Sequence, residues 1–353
     1  MLTSPVRQGD HLPDARDDRP SHGRRGVLVA VSLLAAVVVV FAAGLALGSN
    51  PTSLGEVWRV IWHPDGSEAA VLVRDSRFPR TVLGLLVGAC IGVAGGLMQG
   101  HTRNPLADPG LFGVSAGAGF AVVIGIHALH VTAALPIMVF AMIGALVAAV
   151  AVFGIATAGS APASPVPMAL AGTAVTALLV ALTTFVVLND RSTLDVYRRW
   201  VVGSLSGRDL GIAAAVLPVA VLGMLLAMWN AKALNNLALG DDVARGLGEN
   251  VVLARIVGIG AITLLAGGAT AAAGPLAFLG LVAPHLARAL VGVDHRRMLP
   301  VAALVGALVL VAADVLGRVL GEANNEVQVG IVLAVVCGPF FVHIARRRSL
   351  VAL

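Results

Sequence analysis

Asp314 and Arg318 lie four residues apart in an apolar run, and an acid in such surroundings is the residue type from which a proton relay is built. At i, i+4 on a helix the same two side chains form a local ion pair. A relay needs further buried acids, and this run has only Asp314. The nine histidines are scattered, with no His-x-x-Glu-His or similar ligand set. Cys90 and Cys337 sit in apolar segments without Cys-x-x-Cys spacing, so neither a zinc site nor a disulfide framework is expected. Lys232, the sole lysine, is flanked by Ala231 and Ala233, whereas a phosphate-cradling P-loop needs Gly-Lys-Ser/Thr. The chain therefore carries no such ATP site. No catalytic residue, metal or cofactor is expected, and the chain is not read as an enzyme.

One segment gathers charge between two long apolar runs: Leu239-Gly240-Asp241-Asp242-Val243-Ala244-Arg245-Gly246-Leu247-Gly248. Gly240 can open a helix, and Asp241 and Asp242 then occupy its first turn, where the positive dipole end favours acids. Gly248 is placed to cap it in a left-handed conformation. Leu239, Val243 and Leu247 recur at i, i+4, i+8 as one apolar stripe. So short a helix is marginal alone and cannot span a bilayer, so it needs a surface. Its own membrane domain is one such surface; a groove on a partner protein is the other. Ala244 and Gly240, one turn apart beside the stripe, are small enough for a partner to close onto backbone.

These residues belong to a chain of 353 residues, 58% hydrophobic and 12% charged, with a mean hydropathy of +0.92. A soluble domain carries roughly 25% charged residues. The chain reads as an all-α polytopic membrane protein. Apolar runs at about 27–47, 81–100, 110–128, 133–157, 166–188, 211–229, 251–272, 276–291, 300–318 and 327–344 give about ten spans. An even number places both termini on one side. Residues 1–25 read as a disordered tail, 26–346 as the transmembrane domain with a loop at 231–250, and 347–353 as a second tail. Arg24, Arg25, Arg103, Lys232, Arg245, Arg288, Arg296 and Arg297 then fall on the cytoplasmic side, as the positive-inside rule prefers. The basic balance is read as this topology signal, not as nucleic-acid binding. Arg77, Arg80 and Arg318 fall outside and want a separate reason. Before the second run, Ser53-x-x-Glu56 makes a capping box, and Trp58 and Trp62 share one face suited to the headgroup layer.

The second run carries Gly84, Gly88, Gly92, Gly96 and Gly100 at successive i+4 positions, and Gly113 and Gly117 continue the spacing in the third. Helices in lipid gain little from hydrophobic pairing, so such a ridge serves close backbone approach. A smooth wall along a solute path is the other use of the same surface.

An ordered set of motifs accompanies these features. Arg77-x-Pro-Arg80 comes first, then Gln99 through Asn104-Pro105-Leu106-Ala107-x-Pro109, Gly113-x-Ser115-x-Gly117 and Trp200-x-x-Gly203-Ser204. The 240–248 loop follows, then Ala273-Gly274-Pro275-x-x-Phe278-x-Gly280-Leu281-x-x-Pro284-His285, Asp294-His295-Arg296, Leu299-Pro300, Ala313-Asp314-x-x-x-Arg318 and Glu326-x-x-Val329-Gly330. Together they resemble the FecCD-type permeases of ABC importers for iron-siderophores and vitamin B12, over nearly everything after the tail. Gln328 departs from the Glu-Leu-Pro-Val-Gly common in that family, which frees a backbone N–H. An echo between Pro105-Leu106-Ala107…Phe112-Gly113 and Pro275-Leu276-Ala277-Phe278-x-Gly280 points to two related halves.

The resemblance implies a permease in the bacterial inner membrane, with cytoplasmic termini, forming half of a path with a second identical or paralogous permease. The solute it implies is a ferric siderophore, with cobalamin or heme as alternatives. Residues 239–248 would couple to a separate ABC ATPase. Arg77, Arg80 and Arg318 would present a positive outer surface to acids of a substrate-binding protein, against the alternative of reaching lipid phosphates. A proton-coupled secondary transporter using Asp314 is the rival from another class.

Overall fold

A computed structural model describes residues 22–63, 65–158, 165–321 and 325–346. Of the tail expected at 1–25, residues 1–21 lie outside these residues while 22–25 form the first turn of α1, and the tail expected at 347–353 lies outside them as well. In order the helices are α1 (His22–Ala46), α2 (Leu54–Trp62), α3 (Glu68–Val71), α4 (Phe78–Thr102), α5 (Val114–Leu129), α6 (Ala134–Thr157) and α7 (Pro165–Asn189). They continue as α8 (Arg191–Val201), α9 (Leu210–Leu237), α10 (Asp241–Gly246), α11 (Val251–Ala273), α12 (Leu279–Val291), α13 (His295–Leu320) and α14 (Val329–Arg346). Each of the ten apolar runs falls on one helix: α1, α4, α5, α6, α7, α9, α11, α12, α13 and α14. Seven helical stretches are long and apolar enough to cross a membrane, while α5, α12 and α14 supply shorter apolar helices. In lipid each span must satisfy its own backbone polar groups, which leaves helix as the local solution.

The polar stretch between the first two apolar runs is largely helical in its second half. Ser67 accepts a hydrogen bond from the Ala70 N–H, so helix begins at Glu68. A wide π turn over Leu72–Arg77 then joins α3 to α4, and Pro79 sits in the first turn of α4, where its missing N–H costs little.

Helix α4 is the centre of the bundle, and its glycines explain how. A side chain on Gly88 or Gly92 would strike the backbone oxygens of Gly306 or Ala302 in α13, and one on Gly306 would strike Gly88 in return. A side chain on Gly96 would meet Leu299, and one on Gly84 would meet Leu205 and Val311. Gly117 of α5 has the same relation to Gly144 of α6. The ridge is therefore used for helix packing, with backbone against backbone at Gly88 and Gly92 and backbone against side chains at Gly84 and Gly96.

The two echoed motifs mark two short helices. Helix α5 has 16 residues and α12 has 13, about 24 and 20 Å at 1.5 Å per residue, short of the roughly 30 Å hydrocarbon core. Residues 103–113 lead into α5 from the end where α4 finishes, and residues 274–278 lead into α12 from the opposite end. The two broken segments meet inside: an added side chain on Gly280 would lie 2.8 Å from Pro109 Cδ, and Gly95 packs on the Gly280 carbonyl. Irregular backbone at such depth is tolerated because protein surrounds it.

Candidate functional site

At one end of the bundle α10 forms as its sequence predicts. Gly240 stands at φ +112° before Asp241 and Asp242, and Gly248 adopts φ +83° after the last turn. The helix is then bolted down by charge: Asp241 pairs with Arg103 at the end of α4, and its Oδ2 accepts from Arg255 Nη2 of α11 at 2.7 Å. Glu249 accepts from Asn236 at 2.8 Å. Asp242 and Arg245 pair with one another on the exposed side at 2.7 Å.

Leu239, Val243 and Leu247 point away from the protein, 63%, 49% and 59% exposed. Ala244 does not join them. It is 0% exposed and packs with Ala233, Leu237, Val251 and Ala254, which corrects the expectation that a partner closes onto it. At 3.6 residues per turn Ala244 falls on the flank of the stripe, and Asp241's two ion pairs rotate that flank inward. Two surfaces thus share the helix: its own domain takes Ala244, and the leucine–valine edge has no partner in this chain.

At the opposite end stand Arg77, Arg80 and Arg318, with a second correction. None of them is presented outward; they are 3%, 5% and 2% exposed. Arg80 Nε donates to both oxygens of Asp314 at 3.0 and 3.1 Å, and Nη1 donates to Glu326 at 2.5 Å. Arg318 Nε lies 3.2 Å from Asp314 Oδ2, an ion pair whose N–H is not aligned to donate, and Nη1 donates to the Gly44 carbonyl at 2.9 Å. Arg77 closes the end of α1, donating to the carbonyls of Leu45, Ala46 and Asn50 at 2.9, 3.0 and 2.5 Å. The helix ends that carry these cations converge, so each guanidinium finds acceptors within the chain before any partner arrives. Asp314 is held between two cations, Arg80 and Arg318, so its carboxylate is committed to ion pairs within the chain.

Exposed positive charge at this end is found elsewhere. The exposed Arg198 and Arg199 of α8, with the partly buried Arg208, line a pocket of about 570 Å³ with Ser204, Ser206 and Gln328. Gln328 is the residue that departs from the Pro-containing pattern. The pocket is framed by three of the motifs: Ser204 N–H donates to the Ala273 carbonyl at 2.7 Å, and Gly330 N–H to the Gly203 carbonyl at 3.2 Å. Arg198 keeps a loose pair with Asp195 at 3.4 Å. Helix α8 is capped by Asp190, which accepts from Ser192 and Thr193 and sits 2.9 Å from His127 Nδ1. The Thr193 hydroxyl, then His127 and Ser192, hold the Asp190 carboxyl well below the usual carboxylate range.

Sequence reasoning passed over a second polar cluster near α10. Arg288 donates to Gln99 Oε1 at 2.5 Å, and Asn235 links α9 to α13 by donating to Asp294 at 2.7 Å and accepting from the His295 N–H at 2.9 Å. The available signal was Gln99 and Arg288 themselves, polar groups in apolar helices that need a partner on another span.

The profile of the "FecCD transport family" matches residues 33–347. The ferric enterobactin transport system permease protein FepD of Escherichia coli (strain K12) is 41% identical over 318 residues, covering 90% of this chain and 94% of that one. The cobalamin import system permease protein BtuC of Halobacterium salinarum is 38% identical over 286 residues, covering 81% and 76%. Among solved structures, an inward-facing conformation assigned to the metal-chelate type ABC transporters superposes with a TM-score of 0.79 at 23% identity, covering 91% of this chain and 99% of that one. That likeness concerns the fold.

Proposed function

The chain belongs to the FecCD transport family of ABC importer permeases, and from that premise we propose that it forms half of a path for a ferric siderophore. A second permease, identical or paralogous, supplies the other half. The observation that carries the assembly is α10: a helix fastened by Asp241 on one side while Leu239, Val243 and Leu247 stand exposed on the other. An ABC ATPase gripping that edge moves α10 as a lever, because Arg103 and Arg255 tie it to α4 and α11. The α10 end is then cytoplasmic, in the inner membrane of a bacterium, with both termini on that side.

A substrate-binding protein docks at the opposite end. Its acidic side chains meet Arg198 and Arg199 first, and reach Arg80 only by displacing Glu326. The siderophore reading rests on the identity with FepD, and the arginine-lined pocket suits an anionic chelate. Cobalamin is the alternative supported by the Halobacterium relative.

The test is reconstitution in liposomes with the cognate ATPase and binding protein. ATP-dependent uptake of a ferric siderophore is expected, with none from the permease alone. Uptake driven by a proton gradient without ATPase would overturn the reading, and preference for cobalamin would reassign the solute.

A further inference from the structure

Arg288 closes the last turn of α12 at 4% exposure. One of its nitrogens reaches Gln99, but Nε and Nη1 are buried without a partner, and no carboxylate among the described residues pairs with it. A buried guanidinium left this way carries a desolvation cost that an anion would offset. Gln99 Nε2, on its neighbour, also lacks a partner.

Beside Arg288 a pocket of about 310 Å³ is lined by Arg297, the 289–292 end of α12 and Gly26 of α1. Arg297 is held only by a 3.9 Å pair with Asp294, whose carboxylate is already engaged by Asn235, so its charge is available to the pocket. Among the described residues, two cations and no acid line the space. Its depth is set by α1: immediately after Gly26 come Val27, Leu28 and Val31, 64%, 66% and 59% exposed, an apolar surface for lipid chains. The pocket therefore sits at the boundary between headgroups and hydrocarbon.

We propose that this pocket binds the phosphate of an anionic phospholipid in the leaflet on the α10 side, between Arg288 and Arg297, with the acyl chains lying along α1. Basic pockets between spanning helices on that side are suited to such headgroups. The occupant ties α1 to α12 and α13 at the end of the bundle where α10 is mounted.

The experiment uses the purified, delipidated permease in complex with its ATPase. Melting of the permease is followed while phosphatidylglycerol, phosphatidylcholine or inorganic phosphate is added, and retained lipid is counted by native mass spectrometry. Wild type should bind phosphatidylglycerol saturably and gain more in Tm than with phosphatidylcholine. Arg297→Gln, a half-exposed position, should weaken that binding about tenfold, the loss of one charged hydrogen bond, and leave melting in phosphatidylcholine unchanged. Arg288→Gln should do the same or more; if it does not fold, Arg297→Gln still decides. Equal responses to the two lipids, or an Arg297→Gln protein that binds phosphatidylglycerol normally, would overturn the proposal. A saturable shift with inorganic phosphate alone would assign the pocket to a free anion and overturn the lipid.

Discussion

Arg80 and Asp314, 234 positions apart in sequence, form a buried ion pair in which Arg80 Nε reaches both carboxylate oxygens and Nη2 lies 2.9 Å from Oδ1. The pair joins the start of α4 to the end of α13, two helices whose backbones Gly88, Gly92 and Gly306 already bring together. Breaking a buried pair from one side leaves an uncompensated charge, at a cost of about 3–5 kcal/mol. Arg80→Ala and Asp314→Ala should each lower the melting temperature of the purified permease. The double variant should cost clearly less than their sum. Additive losses in that cycle would mean that the two side chains are not coupled.

The two sides of α10 should separate in a paired measurement. Leu239→Asp with Val243→Asp should abolish capture of the ATPase and leave permease melting unchanged, since both side chains face outward. Ala244→Phe should instead overpack the contact with Ala233 and Ala254, at about 1–3 kcal/mol, and show as lowered melting. If Ala244→Phe melts normally but loses the ATPase, the inward placement of Ala244 is wrong.

Gly92→Leu should be far more damaging than Gly154→Leu. The first side chain would enter the Ala302 backbone, whereas nothing lies within 4 Å of the second. Overpacking costs of about 1–3 kcal/mol or more apply only to the first. Yield of folded permease and its melting in detergent compare the two, and similar behaviour would argue against the α4–α13 packing.

Helix α8 should loosen in acid. The Asp190 carboxyl titrates below the ordinary carboxylate range because Thr193, His127 and Ser192 favour its charged form. Its contribution is therefore complete above the unfolded value of about 3.9 and is lost as pH falls through the lower folded value. Amide exchange of the first turn of α8, corrected for intrinsic rates, should rise across that window in wild type. In Asp190→Asn it should be elevated already at neutral pH and change little.

What the sequence determined by itself was everything governed locally. Ten apolar runs became ten helices because a span in lipid has no other donor or acceptor than its own backbone. The caps of α10 were readable for the same reason, since the φ values of Gly240 and Gly248 are a property of residues lacking a side chain. The close approach of α4 was written in the spacing of its glycines, but its partner α13 was not. Tertiary structure alone decided the fate of the charges. Arg77, Arg80 and Arg318 read as outward cations because a linear chain gives side of membrane and not depth. They are buried because the ends of α1, α4 and α13 converge and supply Leu45, Asp314 and Gly44 as acceptors. Ala244 turned inward by the same logic, since Arg103 and Arg255 arrive from two other helices to set the rotation of α10. Periodicity specifies which residues share a face, and only the neighbours brought by the fold specify where that face points.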